Sequence, residues 1–155
     1  MSNVTTLIFV ESRYQVNRKR IKAVVKRTLD SNNIQLNVEV SVAIVGDRKM
    51  KALNEKYRGK TGTTNVLSFP LAEGEQMKSG TVRGSTSRYS PVPNRMVLGR
   101  HLAMLPKSDT TYLGDIVISY PVVIKEAARD ETMVDEKIEE LVEHGLHHLL
   151  GIHHD

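Results

Sequence analysis

Apolar and polar positions alternate most cleanly where Ile34, Leu36, Val38, Val40, Val42 and Ile44 are separated by Gln35, Asn37, Glu39, Ser41 and Ala43. A period of two predicts a strand with one face buried and the other mostly polar, and Gly46 ends it. Residues 5–11, TTLIFVE, form a shorter strand-like run upstream. Between them the period lengthens, placing Val16, Ile21, Val24, Val25 and Leu29 on one stripe of a basic helix over 15–30 that starts near Gln15 or Asn17. Asp47 is placed to cap a second helix whose Met50, Leu53 and Tyr57 share a face and which stops near Arg58 and Gly59. Residues 66–69, closed by Pro70, and residues 113–119 read as two further apolar strands. Positions 119–121 look like a helix start, with Val122, Val123, Ile124 and Ala127 behind it. Thr132 opens the last helix with Asp135 at the capping-acid position. Its core stripe is Met133, Ile138, Leu141, Val142, Leu146 and Leu149, and Gly151 is the stop signal.

One stretch has little periodicity. Residues 73–111 are rich in Gly, Ser, Pro and Arg, and a structureless run this long inside a compact domain is expected to be mobile or functional. Its Lys78, Arg83, Arg88, Arg95, Arg100 and Lys107 are able to follow a phosphate backbone, with Tyr89 available to stack on a base. A solvated basic insertion is the competing expectation.

A chain of 155 residues suits one domain, spanning 1–155. Aromatics are only 5% and Trp is absent, so the core must be built mainly from Val, Ile, Leu and Met. Lys and Arg outnumber Asp and Glu by 22 to 18, a mild leaning toward a polyanionic partner. With no cysteine, disulfides and thiolate metal sites are excluded, and any metal must be held by imidazole, carboxylate or water. No apolar run approaches the roughly 20 residues of a membrane helix, and the N-terminus carries charge too early for a signal segment. A cytoplasmic protein is expected.

Five of the six histidines lie in the final stretch EHGLHHLLGIHHD. His144 and His148 are four apart, so on a helix their side chains sit one turn above the other. Gly151 permits a left-handed turn that lets His154 fold back as a third nitrogen ligand. Three imidazoles with an open fourth position describe a catalytic zinc site. His147 also lies near the face of His144, and His153 competes with His154, so geometry leaves the ligand choice open. The spacing H-x-x-x-H-x-x-G-x-x-H matches metzincin metalloproteases at the ligand positions, but Gly145 stands where those enzymes carry their catalytic Glu. Glu143 projects about 100° away from His144 and is a poor substitute. The histidines are interleaved with Leu146, Leu149, Leu150 and Ile152, unlike an uninterrupted purification tag.

Three separated segments resemble the YbeY family of bacterial endoribonucleases, which act in ribosomal RNA maturation. They are LNEKYRGKTGTTNVLSFP at 53–70, LGDIVIS at 113–119 and HGLHHLLGIHH at 144–154. The resemblance implies an α+β single domain, with a small mixed sheet flanked by helices and a zincin-like metal helix at the C-terminus beneath a cleft. It implies His144, His148 and His154 as ligands of one Zn2+ and Arg58 as the functional arginine. It further implies single-strand-preferring cleavage of ribosomal RNA precursor, in small-subunit 3′-end maturation and ribosome quality control, with the small ribosomal subunit as partner. Departures from the family pattern include Thr61, Thr63, His147, Ile152 and His153, the last removing a carboxylate beside the third ligand.

A phosphodiester needs charge stabilisation more than a protein base, so Arg58 is expected to hold its non-bridging oxygens as charge builds. Lys60, with Arg83, Arg88, Arg95 and Arg100, is a candidate RNA contact. Asp115, His153 and Asp155 are candidates for orienting the ligands, while Asn65 and Ser68 either reach a phosphate or tie down the strand end. Two rival readings remain at this level: an RNA-binding module whose metal is structural, and a metal hydrolase of another substrate.

Overall fold

A computed structural model describes residues 3–70 and 110–151. Four strands form one mixed sheet: β1 (Val4–Val10), β2 (Asn37–Val45), β3 (Val66–Pro70) and β4 (Thr110–Ser119). Their order is β1-β2-β4-β3, with β1, β2 and β4 parallel and β3 antiparallel to β4. The helices are α1 (Arg18–Ser31), α2 (Asp47–Arg58), α3 (Tyr120–Asp130) and α4 (Val134–Leu149). This is the α+β architecture, a mixed sheet flanked by helices.

Parallel pairing needs crossover connections, and the helices that supply them cover the sheet. On one face Val38, Val40, Val42 and Ile44 of β2 and Ile116 and Ile118 of β4 pack with Ile21, Val24, Val25 and Leu29 of α1. Ile138, Leu141, Val142 and Leu146 of α4 complete that layer. On the other, Ala43, Val45, Leu67 and Val117 meet Met50 and Leu53 of α2. The alternation in β2 therefore does not mark a solvated face. Glu39 and Ser41 are buried as well as the valines, because a central strand between two parallel neighbours is covered on both sides. The strand also begins three residues later than the alternation suggests, leaving Leu36 exposed.

Element ends follow local chemistry, with small shifts from the sequence expectation. Asn17 caps α1, its side chain accepting from the Arg20 N–H at 3.2 Å. Gly46 rather than Asp47 caps α2, and its N–H donates to Glu11 Oε2 at 3.1 Å. A Cβ at Gly46 would meet the tips of the Arg13 and Tyr14 side chains, which would have to swing aside. Ser119 caps α3, accepting from the Val122 N–H at 3.4 Å. Met133 rather than Thr132 caps α4, and Glu136 rather than Asp135 accepts from the Met133 N–H, at 3.2 Å. That position leaves Met133 exposed, and Ile124 is likewise outside the core. Thr110 and Thr111 belong to β4, shortening the aperiodic stretch, whose remainder lies outside the described residues.

The hairpin of α3 and α4 is tied by charge as well as by packing. Lys137, buried, donates to Asp130 Oδ2 at 2.8 Å and to Glu140 Oε1 at 3.2 Å. Hydrogen bonds from Arg129 and then Lys137 hold the Asp130 carboxyl well below the usual carboxylate range. A depressed folded-state pKa stabilises the fold fully above the unfolded value of about 4, and that contribution shrinks as pH falls below it and is lost only as pH passes through the depressed folded-state value. Asp130→Asn should therefore lower the melting temperature at pH 7, with the gap to the unsubstituted protein narrowing steadily as pH falls from about 4 to about 2. Thermal unfolding across that range checks this, and a gap of constant size would contradict it.

Candidate active site

The edge strand β3 is where the candidate residues meet. The last turn of α2 reaches it on one face, and Tyr57 sits edge-on to Phe69 with ring centroids 5.6 Å apart. On the other face α4 runs past β3 and β4. Around this edge lies a cleft of about 500 Å³, lined by Tyr57, Arg58, residues 64–69, His144 and His148. Residues from three distant parts of the chain thus share one opening.

Arg58 occupies the C-terminal turn of α2, where the macrodipole favours a cation, and it is exposed toward the cleft. Gly59 follows it in the left-handed region at φ 67°, closing the helix. The loop beyond is anchored by Asn54, whose buried amide donates to the Gly62 carbonyl at 3.1 Å. Lys60 is exposed on that loop and does not line the cleft. Asn65 ties down the strand entry: its amide donates to both Glu126 carboxylate oxygens, at 3.2 and 3.3 Å, and its carbonyl accepts from the Ser119 N–H at 2.9 Å.

His144 and His148 project from one side of α4, ring centroids 4.7 Å apart and planes inclined at 69°. Both are exposed and open into the cleft. Two imidazoles on successive turns, free of the core, are a donor set that suits a divalent transition ion. His147 is half-buried and does not line the cleft. Among the described residues no group of three metal-ligating side chains converges. His153, His154 and Asp155 lie outside the described residues, as do Arg83, Arg88, Arg95 and Arg100.

Gly145, between the histidines, explains how the helix comes so close. A Cβ there would stand 2.9 Å from Ile116 Cγ2 and 3.1 Å from Ser68 Oγ. The position that carries the base in metalloproteases thus faces the sheet and has no room for any side chain. Ser68 is held between Gly145 and the cleft.

Asp115 points elsewhere. The register of β2 and β4 shifts between Glu39 and Val40, so that Tyr112 pairs with Glu39 but Gly114 with Val40. Beyond this bulge Asp115 stands opposite Ser41, on the α2 face, and accepts hydrogen bonds from the Ser41 and Tyr112 hydroxyls. The sheet separates it from the histidines. Periodicity alone cannot reveal a bulge, which changes which face follows.

The helical period puts Tyr57 on the α2 core stripe, yet it is 39% exposed, and it is a cleft residue the sequence pattern misses. Met50 and Leu53 of the same stripe lie under the sheet interior, whereas Tyr57 reaches only its edge strand. Its position next to Arg58 is the one signal that pointed to the site.

The family described as endoribonuclease YbeY matches residues 8–155. The chain belongs to that family. A relative from Acinetobacter baylyi named endoribonuclease YbeY is 32% identical over 138 residues, covering 89% of this chain and 70% of the relative. Another of that name, from Persephonella marina, is 32% identical over 140 residues, covering 90% and 71%. The solution structure of TM1509 from Thermotoga maritima aligns with 100% of this chain and 75% of its own, at a TM-score of 0.49 and 20% identity. The YbeY match spans every described segment of the cleft.

The close approach at Gly145 can be tested directly. Gly145→Ala should lower the unfolding free energy by about 1 kcal/mol, since overpacking costs about 1–3 kcal/mol and the gain in helix propensity returns about 1. Urea titration measures this. A gain in stability would mean that Ile116 yields easily and that the contact does not constrain the helix.

Proposed function

We propose that this YbeY-family chain is a metal-dependent, single-strand-preferring endoribonuclease of the cytoplasm. Its substrate is ribosomal RNA precursor, with the small ribosomal subunit as partner, in small-subunit 3′-end maturation and ribosome quality control. The observation that carries the chemistry is the shared cleft of Arg58, His144 and His148. His144 and His148, with His154, would hold one Zn2+ or a similar ion. When bound, that ion supplies Lewis-acid polarisation of a phosphoryl oxygen and a nucleophile at neutral pH.

The chain's own groups do the rest. Arg58 is permanently charged and presents a planar fork of donors matched to two non-bridging phosphate oxygens, so it binds most strongly as charge accumulates there. Tyr57 lines the cleft partly exposed, with the Lys56 ammonium 5.1 Å from its ring centroid, and the pair offers a cation and an aromatic ring to an unpaired base, which a base within a duplex cannot use. Thr64 and Ser68 place hydroxyls along the β3 wall to orient the backbone. Amide hydrolysis is disfavoured, because Gly145 leaves no carboxylate at the position from which metalloproteases draw their base.

Tag-free protein incubated with structured ribosomal RNA and with single-stranded RNA should cleave both, the single strands faster. Arg58→Ala should lower kcat by about 10²–10³ while leaving the fold intact by circular dichroism. Chelation or His148→Ala should abolish cleavage, and chelated activity should return on adding Zn2+. Cleavage unchanged in all variants would identify a contaminating nuclease, and RNA binding without cleavage would favour an RNA-binding module with a structural metal.

A further inference from the structure

Helix α1 holds six basic residues and one acidic, five net positive charges against four for the whole chain. Ile21, Val24, Val25 and Leu29 face the core, so the helical period places Lys19, Lys22 and Lys26 on one outward stripe, while Arg27 shares the face of Arg20 seven residues before it. All four are exposed. Lys19, Lys22 and Arg27 have no acidic partner among the described residues, and Lys26 has only the surface pair with Asp30 at 3.3 Å. Arg20, on the opposite flank, is the one held by α4, through Glu139 and Asp135.

This arrangement is unfavourable within the isolated fold. Arg18, Lys19 and Arg20 crowd the positive end of the macrodipole, with no acidic residue in the first turn. Lys22 and Lys26 repel each other at i,i+4. The three lysines span about 10 Å along the axis, roughly one Debye length at physiological salt, and therefore act as a single field. A polyanion laid along the stripe relieves both penalties.

We propose that the outer stripe of α1, Lys19, Lys22 and Lys26, is a docking surface for an RNA sugar-phosphate backbone, separate from the cleft. An anionic membrane fits less well, since the apolar face of α1 is buried and offers nothing to insert. The stripe lies on the side of α1 away from α4, over the β1 edge, whereas the cleft lies at the β3 edge. These edges are three strand spacings apart, about 14 Å, with exposed Glu136, Glu140 and Glu143 of α4 between them. A strand cannot run straight across that acidic ridge. The stripe therefore favours RNA long enough to wrap around the molecule, and so deepens the ribonuclease reading by selecting long precursor RNA over short fragments.

The test compares Lys19→Gln/Lys22→Gln/Lys26→Gln with a charge-matched control, Arg48→Gln/Lys51→Gln/Lys125→Gln, both in a His148→Ala background so that binding is read without turnover. Circular dichroism and thermal melts establish that each is folded. Binding to a structured ribosomal RNA fragment is titrated from 50 to 200 mM salt. The stripe variant should bind at least about tenfold more weakly at 100 mM, its salt slope reduced by about 2, while the control changes little. Equal weakening of both variants would mean that only net charge matters and would overturn the proposal. So would unchanged RNA binding accompanied by lost binding to phosphatidylglycerol vesicles. Because turnover is not read, absence of ribonuclease activity in the unsubstituted protein would refute the cleavage assignment without touching this result.

Discussion

The approach of α4 to the sheet at Gly145 governs the geometry of the candidate site. With no side chain between them, the helix backbone settles against Ile116 and Ser68, and the flanking turns carry His144 and His148 outward to the edge of β3. A bulkier residue would force Ile116 and Ser68 to give way by some tenths of an ångström. The same contact removes the position from which a metalloprotease draws its base. One glycine thus brings the histidines into reach and narrows the chemistry to reactions that need charge stabilisation more than proton abstraction by a carboxylate.

Charge in the helical layer is sorted by element. α1 is basic on its outer stripe, α4 carries exposed glutamates, and Arg58 closes α2 beside Lys56 on the far side of the sheet. Only Arg20 bridges α1 and α4. The cleft's positive charge comes from Arg58 and whatever the histidines hold. An anionic group is thereby drawn to the β3 edge and to the outer stripe of α1, and away from the glutamates of α4.

Much of the fold was legible in the chain because period and capping chemistry are local properties. Asn17, Gly59 and Ser119 stand at helix ends for reasons readable in a few neighbouring residues, and the stripes of α1 and α4 point inward as their spacing requires. The errors cluster where burial depends on partners far away in sequence. The polar residues of β2 are buried because α2 and a neighbouring parallel strand cover them, and Tyr57 is open because its helix has reached the sheet's edge. Asp115 faces away from the histidines because a bulge resets the alternation.

By itself, then, the sequence determined the pairing of His144 with His148, since four residues on a helix make one turn whatever surrounds them. It also determined the absence of thiolate chemistry and the concentration of charge in α1. Only the tertiary structure decided that Arg58, Tyr57 and Ser68 join those histidines in one cleft while Asp115 does not. Such meetings depend on strand order and on how closely a helix can lie against a sheet, and no local spacing encodes either.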